Sequence, residues 1–158
     1  MKYVYFRTIN GGIMVATNAY IKLVPASIKE NVTTDEIMEL FHYYKDITSK
    51  TGKQLDWQYE ASAFPYEIKE EQAGKGTWFY LYSNQDRYHA ILLGVDQETI
   101  IDSDGNESNQ TYIQVTLPES ATFGDKGKAN EFCKFLAKKL QAELHLFNGR
   151  VMYYYPRK

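Results

Sequence analysis

The last third of the chain, Phe123 to Pro156, leaves few choices of backbone conformation. It reads Phe-Gly-Asp-Lys-Gly-Lys-Ala-Asn-Glu, then a run with helical periodicity, then two short strand-like runs around Asn148-Gly149. Phe132, Phe135, Leu136 and Leu140 recur at the spacing of one helix face, with Ala129 and Cys133 beside them. This predicts a helix over about residues 128–142, with Lys134, Lys138 and Lys139 off its buried stripe. Glu143–Phe147 and Arg150–Tyr155 flank Asn148-Gly149, a pair that readily adopts the positive φ of a tight hairpin turn. A helix leading into a C-terminal β-hairpin follows.

The rest of the chain supplies the other layer. Tyr20, Lys22 and Val24 alternate with Ile21 and Leu23, a strand over 18–24 that ends at Pro25. Thr33 and Glu36 form a capping box, and Ile37, Leu40, Phe41, Tyr44 and Ile47 follow at helical spacing. That helix runs over 34–51, with Gly52 at its C-cap. Strands are expected at Tyr66–Glu71, Thr77–Tyr82, Arg87–Val95, Glu98–Asp102 and Thr111–Leu117, joined by short polar turns that imply antiparallel pairing. The fold class is α+β: a curved antiparallel sheet of about five to seven strands, two main helices and the hairpin.

Three stretches, residues 19–27, 124–133 and 144–152, resemble a small bacterial family recorded only as a domain of unknown function. The quoted residues are Ala-Tyr-Ile-Lys-Leu-Val-Pro-Ala-Ser, Gly-Asp-Lys-Gly-Lys-Ala-Asn-Glu-Phe-Cys and Leu-His-Leu-Phe-Asn-Gly-Arg-Val-Met. The resemblance covers about residues 15–158. It implies a curved antiparallel sheet crossed by a helix, similar in topology to one repeat of a TATA-binding protein, plus a helix near the N-terminus. It implies no known activity and transfers no functional residue. A likeness of fold is not evidence for DNA binding.

At 158 residues the chain fits one domain with a proper core, assigned to residues 15–158. Residues 1–14 read as a non-native extension. Asn10-Gly11-Gly12-Ile13-Met14 can be encoded with a ribosome-binding sequence just upstream of an ATG, making Met14 the start; the alternative is a true edge strand over 2–8. Cys133 is the single cysteine, so no internal disulfide forms and a reducing cytoplasm is the natural compartment. No apolar run approaches the roughly 20 residues that span a bilayer, and no signal peptide is recognisable.

Charge is the main functional hint. The chain carries −2 overall, but residues 121–158 hold six Lys and two Arg against three acids, a local +5. If the helices cover the aliphatic side of the sheet, the opposite side presents rings. The expected function is therefore a non-enzymatic binding module. Its surface comprises Trp78, Tyr80, Tyr82, Tyr112, Tyr153 and Tyr155 with a basic rim of Lys126, Gly127, Lys128, Arg150 and Arg157. A protein partner or a homodimer suits it, since acidic residues 96–107 and basic residues 121–158 can pair. One alternative is single-stranded nucleic-acid or nucleotide binding, with rings stacking on bases and lysines holding phosphate. The other is a small-molecule enzyme with a site near Asp86, Arg87 and His89.

Several chemistries find no signature. Gly124–Lys128 ahead of a helix suits an anion, yet its glycine spacing fails the P-loop pattern, and Asp125 or a neighbour capping the helix, with a glycine supplying a tight turn, is the simpler reading. His42, His89 and His145 are not spaced as metal ligands. Asp102–Asn106 lacks the glycine and glutamate of a calcium loop and reads as a solvated turn. Cys133 reads as an inert core thiol. No cofactor or metal is expected.

Overall fold

A computed structural model describes residues 6–9, 12–15, 17–55 and 63–156. Strands β1 (Phe6–Ile9) and β2 (Gly12–Val15) pair with each other in a two-stranded sheet of their own. Of the alternative edge strand over 2–8, residues 6–8 belong to this small sheet and residues 2–5 lie outside the described residues. The main sheet contains β3 (Thr17–Lys22), β4 (Glu67–Lys69), β5 (Trp78–Tyr82), β6 (Ala90–Ile101), β7 (Glu107–Leu117), β8 (Glu143–His145) and β9 (Val151–Tyr153). Helix α1 is Thr34–Leu55 and α2 is Phe123–Leu140.

The seven strands run in the order β4-β5-β6-β7-β3-β8-β9, every neighbour antiparallel, as an open, curved sheet. Period-2 alternation sets the two faces. Ile21, Phe79, Leu81, Ile91, Leu93, Ile113, Val115 and Leu144 point to the helices and are completely buried. The register preserves this across strands, with Leu93 opposite Val115 and Ile21 opposite both Ile113 and Leu144. Helix α2 lies on the centre of that face, against β3, β6, β7 and β8.

Helix α1 reaches the sheet through rings. Phe41 meets Phe79 at 6.3 Å and Phe132 of α2 at 5.3 Å, while Tyr44 meets Phe132 at 5.4 Å and Phe135 at 5.0 Å. Phe64, following α1, packs on Phe132 at 5.4 Å. Offset and edge-on ring pairs of this kind add to the burial energy. The capping box of α1 forms as the sequence indicates: Thr33 N donates to Glu36 Oε1 at 3.0 Å and Glu36 N to Thr33 Oγ1 at 3.1 Å.

Three boundaries differ from expectation. Helix α1 passes through Gly52 and ends at Leu55; a glycine lowers helix propensity by only about 1 kcal/mol, too little to stop a helix that is anchored elsewhere. Helix α2 starts at Phe123, so the Gly-Asp-Lys-Gly-Lys stretch is its first two turns, and Gln141 closes it in the left-handed conformation (φ 53°). The two expected strands around Asp96–Gln97 are one, β6, while Arg87–His89 belongs to the preceding loop. Beyond the Gln97–Thr111 pair, β6 and β7 pair only with each other among the described residues, from Glu98–Gln110 to Ile101–Glu107. These four pairs form an arm about 13 Å long at the usual rise per residue.

Candidate functional site

The start of α2 is built around Asp125. Thr122 Oγ1 accepts from Asp125 N at 3.0 Å, and Thr122 N donates back to Asp125 Oδ2 at 3.0 Å, a complete capping box. The same carboxylate, 0% exposed, accepts from His89 N at 2.9 Å, Ala90 N at 3.3 Å and Tyr66 Oη at 2.6 Å. Four donors, one from its own helix cap and three from two distant segments, thus satisfy a buried charge. Burial and the adjacent carboxylate push the Tyr66 hydroxyl far above its usual ionisation range. Thr122 Oγ1 also donates to Arg87 O at 2.6 Å. Gly124 sits so close to that loop that a Cβ would lie 2.4 Å from Arg87 O.

The helix start is therefore filled by its own carboxylate. Lys128, expected on the basic rim, is turned inward: its Nζ donates to Ala63 O at 3.0 Å and to Glu131 Oε2 at 3.2 Å. Lys126 and Gly127 are exposed, as is Arg150 in the β8–β9 turn. Arg157 lies outside the described residues. Asp86, Arg87 and His89 have exposed side chains; their backbone, through Arg87 O and His89 N, meets α2 instead.

The ring-bearing face divides into a closed centre and two rims. At the centre Tyr112 is 7% exposed, and Gln114 and Thr116 beside it are buried. Thr116 Oγ1 donates to Asn18 Oδ1 at 2.7 Å and Gln114 Nε2 to the same oxygen at 3.1 Å. Tyr20 closes on Tyr112 edge-on at 5.8 Å. Tyr112 therefore offers no stacking surface. At the β4–β5 rim, Trp78 and Tyr80 are half-buried, and Gly74 packs directly on the Trp78 indole, where a Cβ would lie 2.3 Å from the ring. Tyr82 is exposed there, edge-on to His89 at 6.3 Å.

The other rim gathers the densest group. The register sets Tyr20 opposite His145, and Glu143 between Lys22 and Tyr153. Tyr153 is 42% exposed and meets Tyr155 edge-on at 5.9 Å. Tyr155 Oη donates to Glu143 Oε1 at 3.1 Å, and His145 Nε2 lies 2.7 Å from Glu143 Oε2, so that nitrogen carries the proton. Tyr20 is shifted above its usual ionisation range, first by burial and then by the nearby Glu98 carboxylate; Glu98 pairs with Lys22 at 3.3 Å. The sequence pointed to Tyr153 and Tyr155. It missed Glu143, although Glu-x-His on a strand puts both side chains on one face. It also missed Phe123, which is 94% exposed at the first position of α2.

Among the described residues no group of three His, Cys, Asp or Glu is placed to hold a metal ion, and no helix is long and apolar enough to cross a membrane. Cys133 is completely buried, which pushes its thiol up to about 12.

A family described as "Domain of unknown function (DUF1885)" matches residues 17–156. A solved structure, described as a protein of unknown function from Bacillus stearothermophilus, is 36% identical to this chain. The likeness covers 80% of this chain and 91% of that one, with a TM-score of 0.49. No curated protein matches.

Proposed function

We propose that this chain, which belongs to the DUF1885 family of unknown function, is a binding module. Its working face is the rim formed by Tyr153 and Tyr155 around the Glu143–His145 pair. The observation that carries the reading is the fixed Tyr153–Tyr155 pair: one ring is exposed, the other is anchored through its hydroxyl to Glu143. Rings already held in place lose little freedom when a partner covers them, which is why tyrosines dominate contact hot spots. Arg150, exposed in the adjoining turn, adds a charged border.

The chemistry favours a protein segment over a nucleic acid. Carboxylates of Glu143 and Glu98 stand among the rings and repel phosphate. Lys128 is committed to Ala63 and Glu131, and Asp125 occupies the helix start that would otherwise attract an anion.

The test is a displayed random-peptide library panned against the protein. Enriched peptides should lose about tenfold or more in affinity on Tyr153→Ala, the scale of a hot-spot deletion, and be unaffected by His89→Ala at the opposite rim. Single-stranded RNA binding that weakens steeply with salt, or peptides indifferent to Tyr153, overturns the reading.

A further inference from the structure

The β6–β7 arm projects from the sheet with both of its faces in solvent, yet it ends in two isoleucines. Ile101 is 66% exposed and Ile100 37%. The tip is well formed: Gly105 N donates to Asp102 O at 3.0 Å, and Asp102 Oδ1 accepts from Asp104 N and Asn106 N, each at 2.9 Å. The base is pinned as well. Thr111 Oγ1 donates to Asn31 Oδ1 at 2.7 Å, and Gln97 Nε2 bonds both Thr111 Oγ1 at 3.1 Å and Asn31 Oδ1 at 3.3 Å. A hydrogen-bonded ladder that carries two isoleucines into water is a candidate contact element.

A complementary surface lies nearby. Ile28 is 61% exposed and Tyr43 45%. Both adjoin the C-terminal end of α2: Ile28 N donates to Leu140 O at 3.0 Å, and Lys139 Nζ sits 4.5 Å from the centre of the Tyr43 ring. Exposed Lys138 is next to it. Residues 96–107 carry five acids and no base. The arm's isoleucines thus match Ile28 and Tyr43, and its acids match the two lysines Lys138 and Lys139, with Glu39 and Asp46 exposed on the far side of Tyr43 along its own helix.

Their placement also matters. Asn31, three residues from Ile28, is bonded to the arm base. Ile101 shares the strand face of Gln97, the face that meets Asn31. Arm tip and the Ile28–Tyr43 surface therefore lie on one side of the molecule, as a two-fold axis requires if each is to meet the other's copy.

We infer that the arm is a self-association device. Its Ile101 seats against Ile28 and Tyr43 of a second copy, Asp104 and Glu107 face that copy's Lys138 and Lys139, and the exchange is reciprocal. The rim around Tyr153 is not part of this contact.

The experiment is sedimentation analysis through the micromolar range at low and moderate salt. A monomer–dimer equilibrium is expected, loosened by salt. Ile101→Asp should weaken it about tenfold or more. So should the pair Lys138→Glu, Lys139→Glu, and so should Asp104→Lys with Glu107→Lys; combining the two charge-reversed pairs should restore it. Tyr153→Ala should change nothing. Every substituted side chain is at the surface, and circular dichroism verifies that each variant is folded. A single monomeric mass at every concentration, a dimer indifferent to Ile101→Asp, or a combined variant without recovery overturns the inference. Because Tyr153 plays no part here, the peptide-binding reading survives or fails on its own test.

Discussion

Tyr66 illustrates what a single residue does here. Its hydroxyl donates to the completely buried Asp125 carboxylate, a charge-assisted bond whose loss in Tyr66→Phe should cost about 1.5–3 kcal/mol at neutral pH by chemical denaturation. The pH dependence has a definite sign. In the folded chain Tyr66 is pushed upward by burial and by Asp125, whereas an unfolded tyrosine ionises near about 10. Above that pH the unfolded state releases a proton that the folded state keeps, so stability falls by about 1.4 kcal/mol per pH unit from this group. The advantage of the wild type over Tyr66→Phe is therefore full below about pH 10 and shrinks beyond it. A difference that stays constant across that range sinks the account. The sequence marked Asp125 as a cap, and no more. Its other partners, Tyr66 and His89, are 59 and 36 residues away, a distance over which local pattern carries no information.

At the scale of elements, local rules worked where one signal stood alone and failed where two competed. The Thr33–Glu36 box placed the start of α1 because nothing contradicted it. Before α2, two glycines suggested a loop, while Thr122 and Asp125 formed the equivalent box five residues earlier than expected. The glycines differ in role, and substitution separates them. Around Gly127 a Cβ meets nothing within 4 Å and the backbone is helical, so Gly127→Ala should stabilise the fold by about 0.5–1 kcal/mol. Gly124→Ala must push Arg87 O away and should lower the melting temperature. If both changes act alike, close approach is not what selects glycine at 124. The sequence suggests two strands on either side of Asp96-Gln97, whereas β6 is continuous through them. In an arm wetted on both faces, polar residues do not interrupt a strand.

For the whole molecule, the two-sidedness of the sheet was legible from alternation alone, since period 2 fixes which side chains share a face. Which of them stay accessible was not, because that depends on strand order. Tyr112, Gln114 and Thr116 sit on β7, in the middle of seven strands and crowded by β3, while Tyr82 and Tyr153 sit near the rims. Strand order is a property of long-range pairing that no window of sequence contains. Burial of Cys133 gives a global readout of the same core. With its thiol pushed up to about 12, iodoacetamide at pH 8 should leave the folded chain unmodified and label it only as fast as the chain unfolds. Rapid labelling without loss of circular dichroism argues against a closed core. The terminal strands of the main sheet, β4 and β9, span three residues each. Such stubs give an incoming strand little edge to pair with at either margin of the sheet, which leaves the longer outer edges of the β6–β7 arm as the open ones among the described residues.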